Sequence, residues 1–219
     1  IALIEERFIN DPEVGAVFTD ADVVDQDLRP LGVQLWKVFK FGPKNQTSVA
    51  TGDALGVLLK QYVVTGATMA FRSSYRDLVL PIPEIPDVWH DAWISLIVGA
   101  TSRLVALPIS LVAYRQHDAN QVGVPRRGSA RGKTCAQIYG PQIAYYDSAR
   151  ARLLEFSNRF PDAGRQIRRF EEKLIFLRAC AALPDSRWRR LPTVLRELLG
   201  LRYHRYAKGL KSFRKDLLR

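Results

Sequence analysis

The stretch VWHDAWISLIVGA, from Val88 to Ala100, leads into a second apolar run that ends at Arg115. In the first stretch, apolar side chains recur at the spacing of one helical face, at Val88, Ala92, Trp93, Leu96, Ile97 and Ala100. The following segment contains two short strand-like runs, which we expect Pro108 to separate because proline has no N–H for a sheet ladder. A buried helix that leads into a strand predicts a layered α/β domain.

The residues before Val88 continue this alternation of helices and strands. We expect helices at Ile1 to Asn10 and Gly52 to Leu59, a strand at Ala16 to Phe18, and a β-branched segment at Val63 to Ser73. Gly66 interrupts the β-branched segment, which indicates a strand edge or a close approach to backbone. Turn residues occupy Asp27 to Gly32, and the proline-rich stretch Leu80 to Asp87 predicts a loop whose last residue can cap the next helix.

The positive charge of the chain is concentrated in its second half. Residues 1–120 contain 10 Lys and Arg against 14 Asp and Glu, a net charge of −4. Residues 121–219 contain 23 against 8, a net charge of +15. This asymmetry indicates an anionic partner for the second half, whether a membrane surface, nucleic acid or a polyanionic substrate.

The second half has a helical pattern. Helices are expected at Gln137 to Phe160, Ala163 to Leu183, Leu191 to Leu199 and Arg202 to Leu218, with breaks near Pro161, Pro184 and Pro192. The basic, glycine-containing sequence VPRRGSARGK, Val124 to Lys133, is typical of a boundary loop. We therefore predict an α/β domain over residues 1–123 and a basic helical extension over residues 124–219.

The length of the apolar runs and the spacing of the cysteines argue against a membrane-spanning protein and a disulfide or zinc scaffold. No apolar run approaches the roughly 18 residues that a membrane-spanning helix needs. The two cysteines, Cys135 and Cys180, lack the spacing of a disulfide framework or a zinc site. They indicate reduced thiols in a cytosolic protein.

Three features could carry chemistry. Asp91 lies one turn into the predicted helix, where the helix dipole favours an ionised carboxylate that can accept a proton. Taken alone, these residues favour a simpler role, in which Asp91 only stabilises the helix start. His117 follows a strand and fits either a metal or phosphate contact or a loop-anchoring histidine. TDADVVD, with Asp20, Asp22 and Asp25, fits either a divalent cation site or a solvated strand end.

Several of these segments together resemble the later part of family 2 glycosyltransferases, closest to the rhamnosyltransferase-like bacterial enzymes of cell-surface polysaccharide synthesis. The resemblance covers about residues 1–123. It rests on four motifs in order, VGAVFTDADVVDQDLRPLG, VTGATMAFRSS, the proline loop into VWHDAW, and LVAYRQHDANQVG. The tail RYHRYAKGLKSFRKDLLR also resembles the way such enzymes end.

The resemblance implies a GT-A, Rossmann-like fold and an inverting transfer from a nucleotide-diphosphate sugar to a glycan or lipid-linked acceptor. It implies that Asp91 is the general base with His90 beside it. It implies that His117 helps to hold Mg²⁺ or Mn²⁺, or the diphosphate, and that a divalent cation offsets charge on the departing diphosphate. The remaining residues that it assigns to substrate binding are Gly66, Ala67, Thr68, Trp93 and Arg115.

The sequence departs from the family in one respect. The nucleotide-binding strands and their metal-binding acidic motif have no counterpart, and Asp20-Ala21-Asp22 matches a later acidic strand end instead. We therefore expect a partial GT-A sheet that lacks the donor-binding strands, and a chain that is inactive by itself.

The C-terminal helices mix Arg and Lys with Leu, Trp and Tyr, for example in Trp188 to Tyr206 and Leu210 to Arg219. This composition fits helices on an anionic membrane surface, which would place a cytoplasmic enzyme at the inner face of the cell membrane. It fits equally a helical bundle with solvated charged faces. Nucleic acid is a weaker candidate because no recognition motif accompanies the charge. The alternative to a transferase is thus a non-catalytic basic module that binds an anionic membrane or nucleic acid.

Overall fold

A computed structural model describes residues 1–86, 88–116 and 132–218 of this mixed α/β protein. The chain divides into two compact units. The first comprises Ile1–Leu58, Tyr62–Val79 and His90–Ser129, and the second comprises Leu59–Gln61, Leu80–Trp89 and Ala130–Arg219. The boundary predicted between residues 123 and 124 lies outside the described residues, and so does the capping role predicted for Asp87.

A four-stranded mixed sheet forms the centre of the first unit. Its strands are β1 Val14–Val24, β2 Pro30–Gln34, β3 Met69–Phe71 and β4 Arg103–Arg115. Strand β1 pairs in parallel with β4 along its whole length, and antiparallel with β3 near its start and with β2 near its end. All residues of β1 except Asp22 are buried. The predicted strand at Ala16–Phe18 is confirmed, and it continues six residues further than the apolar run indicated.

Strand β4 is one continuous strand, so the predicted break at Pro108 is wrong. The register with β1 shifts at this point, because Thr19 is opposite Leu107 whereas Asp20 is opposite Ser110. Pro108 and Ile109 are therefore accommodated in an irregularity of the ladder, where a missing N–H costs no pairing.

The described residues of the first unit form six α-helices. They are α1 Ala2–Asn10, α2 Leu35–Val38, α3 Pro43–Ala50, α4 Ala54–Leu58, α5 Arg76–Val79 and α6 His90–Thr101. The helices predicted near residues 1–10, 52–59 and 88–100 are confirmed. The predicted turn at residues 27–32 is confirmed only in part, because Pro30–Gly32 belong to β2.

The packing of α6 on β1 depends on Gly15. A Cβ atom on Gly15 would lie 2.0 Å from Oγ of Ser102 and 2.9 Å from Cγ1 of Val98. We expect Gly15→Ala to lower the free energy of unfolding by about 3 kcal/mol, because helix and strand would have to move apart. Denaturant unfolding measures this loss. Gly42→Ala is the matched control, since a Cβ atom on Gly42 would have no other atom within 4 Å. Equal stability of the two variants would contradict the close packing.

Five α-helices lie in the part of the second unit that the structure describes. They are α7 Cys135–Glu155, α8 Ala163–Ala181, α9 Arg187–Leu199, α10 Arg202–Tyr206 and α11 Leu210–Leu218. The breaks predicted near Pro161 and Pro184 are confirmed, but Pro192 lies inside α9. Pro192 is on an exposed face, where water can replace the N–H that proline lacks. The helix predicted from Arg202 to Leu218 is instead divided before Gly209, which adopts a left-handed conformation with φ 57°. None of the helices in the described ranges is long and apolar enough to cross a membrane.

Lys173 on α8 is buried in the second unit. Its Nζ donates to the carbonyl oxygen of Tyr206 at 2.6 Å and lies 4.9 Å from the ring centre of Tyr146. Burial lowers the pKa of Lys173 to about 7. Burial also raises the pKa of the neighbouring Cys180 thiol.

These shifts predict a pH dependence of stability. Between about pH 7 and the unfolded lysine pKa of about 10.4, the unfolded chain holds a proton that folded Lys173 has lost. The free energy of unfolding should therefore rise from pH 7 to about 8.5, by up to about 1.4 kcal/mol per pH unit. Above that range the raised pKa of Cys180 acts in the opposite direction. Lys173→Met should flatten the rise and Lys215→Met, at an exposed site on α11, should not. An unchanged slope in Lys173→Met would contradict this account.

Candidate active site

Three segments of the first unit meet at one edge of the sheet. Because β1 and β4 are parallel, their carboxyl ends lie at the same edge. Strand β3 runs antiparallel to β1, so the 3-10 turn Gly66–Thr68 before it lies toward that edge as well. Asp91 at the start of α6 contacts this turn. The outer side of the carboxyl ends of parallel strands is the usual position of ligand sites in α/β sheets.

Asp91 is held by two backbone hydrogen bonds. The Gly66 N–H donates to its Oδ2 at 2.9 Å, and the Ala92 N–H donates to its Oδ1 at 2.8 Å. The side chain is half-buried. Since each carboxylate oxygen has two lone pairs, each retains one beyond these contacts. The carboxylate is thus fixed in direction and still able to accept a proton.

His90 lies against the backbone of Gly66. A Cβ atom on Gly66 would lie 2.8 Å from Nε2 of His90 and 3.5 Å from Cβ of Asp91. The close backbone approach predicted at Gly66 is therefore confirmed, and its partners are two of the predicted site residues. His90 itself is exposed, so its imidazole forms part of the surface beside the Asp91 carboxylate.

Tyr114 is a residue at the end of β4 that the sequence interpretation did not single out. It lies near the end of β4, half-buried, and its ring packs against the cluster of Ala21, Val23 and Leu35. Burial raises the pKa of Tyr114, and the charge of Asp91 raises it further. The phenol therefore lies within electrostatic range of the carboxylate. The available signal was its position, because it immediately precedes Arg115 at the end of the strand before His117.

The other predicted site residues differ in their exposure to solvent. Ala67 is exposed in the turn, and Arg115 is exposed at the end of β4. Thr68 is buried, and its hydroxyl donates to the carbonyl of Thr65 at 3.0 Å. His117 lies outside the described residues.

Trp93 belongs to the core of the first unit rather than to a substrate surface. Its side chain is only 1% exposed, and its indole N–H donates to the carbonyl of Val79 at 2.7 Å. Asp91, two residues earlier, lies about 200° away around the helix axis and contacts the 3-10 turn. We therefore assign Trp93 to packing, which corrects the substrate-binding role that its motif implied.

The acidic residues at the end of β1 have structural partners. Oδ1 of Asp20 accepts from the Ala21 N–H at 2.8 Å and the Trp36 N–H at 2.9 Å, which ties β1 to α2. Asp22 is exposed, whereas Asp20 is buried. Asp25 accepts from two N–H groups of the following turn. These contacts support the interpretation of TDADVVD as a strand end rather than a cation site.

A divalent cation has no evident set of ligands in the described ranges, 1–86, 88–116 and 132–218. No three His, Cys, Asp or Glu side chains there are grouped in a way that could hold a metal ion. The role predicted for Mg²⁺ or Mn²⁺ therefore stays a prediction, and no chemical step below is assigned to it.

The chain matches no protein-family model, no curated protein and no solved structure in the three comparisons made.

Proposed function

We propose that this chain is the acceptor-side part of an inverting glycosyltransferase of the GT-A type, similar to family 2. The enzyme would transfer a sugar from a nucleotide-diphosphate donor to a glycan or lipid-linked acceptor in bacterial cell-surface polysaccharide synthesis. One observation carries the proposal. Asp91, the residue that the motif resemblance assigns as base, lies at the carboxyl edge of the sheet with Gly66 and His90. Gly66 belongs to the matching motif VTGATMAFRSS, and His90 belongs to VWHDAW, the motif that contains Asp91.

The proposed step is a single displacement. An oxygen of the acceptor hydroxyl forms a bond to the anomeric carbon, the bond from that carbon to the diphosphate oxygen breaks, and the diphosphate leaves with the electron pair. The hydroxyl proton passes to the carboxylate of Asp91. A base held on a helix terminus by two N–H groups needs little rearrangement to receive that proton.

The surrounding residues define the acceptor side of the site. The exposed backbone and methyl group at Ala67 and the exposed imidazole of His90 lie next to Asp91 and offer apolar and polar contacts to a sugar. Gly66 has no side chain, so the N–H that orients Asp91 stays within reach of it. The Tyr114 phenol is protonated at neutral pH, as tyrosine ordinarily is, and burial and the charge of Asp91 raise its pKa further.

Acceptor-dependent release of nucleoside diphosphate tests the proposal. The intact enzyme that contains this chain is incubated with uridine, guanosine and thymidine diphosphate sugars and with lipid-linked glycan acceptors. We expect release from one donor class that depends on acceptor. If no donor is turned over and no nucleoside diphosphate binds in calorimetry, the chain is not part of a transferase of this kind.

A further inference from the structure

Helix α9 of the second unit turns four apolar residues outward. Trp188, Pro192, Leu195 and Leu199 follow at intervals of four, three and four residues, which places them on one face of the helix. Trp188 is 84% exposed and Leu199 is 82% exposed. We name these four residues the apolar stripe. A contiguous exposed patch of this kind usually marks an interaction surface.

The inward face of α9 combines the apolar Val194 with two buried ionic side chains, Arg190 and Glu197, that have partners. These contacts fix which face of the helix is turned inward. Arg190 is 3% exposed and donates through Nη1 to the backbone carbonyl of Asp216 at 2.9 Å. Glu197 is 1% exposed and accepts from Arg202 at 3.0 Å. Rotating the apolar stripe inward would expose Val194 and break these contacts.

The surface around the apolar stripe is predominantly cationic, with the exposed Asp185, three residues before Trp188, as an acidic exception. Residues 187–218 contain ten Lys and Arg and only two acidic residues, Glu197 and Asp216. Both acidic side chains are 1% exposed, so the exposed charges of this segment are positive. Arg187 and Arg189 are exposed on either flank of the stripe. Two copies of such a surface would repel one another, whereas an anionic surface would be attracted.

We propose that α9 lies in the plane of a bilayer that contains anionic lipid, with Trp188, Leu195 and Leu199 inserted at the boundary of headgroups and acyl chains. The flanking arginines then contact lipid phosphates. This arrangement is the one that interfacial amphipathic helices adopt, with an aromatic and aliphatic face in the lipid and basic residues at headgroup level. The inference is independent of the proposed transferase activity, since it uses no residue of the first unit.

Vesicle cosedimentation of the full chain tests the proposal. The vesicles contain phosphatidylcholine alone or phosphatidylcholine with about 30% phosphatidylglycerol, at salt from about 0.05 to 0.5 M. We expect binding only to the anionic vesicles, and weaker binding at higher salt. Trp188→Ser/Leu199→Ser should reduce the affinity about tenfold or more, because it removes most of the inserted apolar surface. Arg187→Gln/Arg189→Gln should reduce the preference for the anionic vesicles.

Ile175→Ser is the matched control, since Ile175 on α8 is 50% exposed and lies outside the stripe. It should bind as the unchanged chain does. Free inorganic phosphate should not compete, because the apolar contact requires a bilayer. The proposal is overturned if anionic vesicles do not bind, if the stripe variant binds as tightly as the control, or if light scattering shows a dimer that the stripe variant dissociates.

Discussion

Asp91→Asn should abolish sugar transfer by the intact enzyme while donor binding stays nearly unchanged. The asparagine oxygen can still accept from one of the two backbone N–H groups that hold Asp91, but an amide cannot take a proton from the acceptor. Loss of a general base lowers the rate by about 10³-fold. Initial rates of nucleoside diphosphate release, with calorimetric titration of the donor, measure the two quantities separately.

The control for this variant is Asp77→Asn, because Asp77 is also in the first turn of a short helix of the same unit and is exposed. It should retain the full rate. Turnover by Asp91→Asn within a few-fold of the Asp77→Asn rate would remove Asp91 from the mechanism.

Asp216→Ala should cause the largest loss of stability in the second unit, about 3 to 5 kcal/mol. The Asp216 side chain is buried, its Oδ1 accepts from the Tyr139 hydroxyl at 2.7 Å, and its Oδ2 accepts from the Tyr203 hydroxyl at 3.0 Å. Alanine leaves both hydroxyls without this acceptor in the interior. Urea unfolding measures the loss.

Two further substitutions test whether the loss of stability comes from the hydrogen bonds of the buried Asp216 carboxylate. Asp216→Asn keeps one acceptor oxygen and should cost about 1 to 2 kcal/mol. Asp185→Ala changes an exposed acidic residue before α9 and should be nearly neutral. If Asp216→Ala unfolds at the same urea concentration as Asp185→Ala, the buried carboxylate does not hold α11 to α7 and α10.

The existence of an element could be predicted from sequence more readily than its extent. The apolar period of Val88 to Ala100 predicts α6, and the run at Ala16 predicts β1. The extension of β1 to Val24 could not be read from the sequence, because it depends on a distant backbone N–H, that of Trp36, which satisfies Asp20. In the same way, Pro108 predicts a strand break from sequence alone. The strand continues through it because the β1–β4 pairing is irregular at this point, which only the structure shows.

The candidate site shows the same division. Asp91, His90 and Gly66 could be named from motifs, and the structure brings them together. Trp93 shares the motif but faces the core, which helical phase alone could have indicated, since it belongs to the apolar face. The position of Tyr114 beside Arg115 was a signal, but its interaction with Asp91 could not be predicted, because it follows from the return of the chain from α6 to the end of β4.

The orientation of α9 was the least predictable feature. Its sequence is strongly amphipathic, and amphipathic helices usually bury their apolar face. Here Arg190 and Glu197 are buried together with Val194, because the backbone carbonyl of Asp216 and the side chain of Arg202 on other helices supply their partners. A sequence pattern gives the two faces of a helix, and tertiary partners decide which face is outward.

The configuration at the anomeric carbon of the product tests the central claim most directly. A single displacement assisted by one carboxylate, Asp91, must invert that centre, so the anomeric proton coupling of the product measured by NMR should show the configuration opposite to that of the donor. A product that retains the donor configuration would contradict the account, because a single displacement assisted by one base cannot retain the configuration of the anomeric carbon.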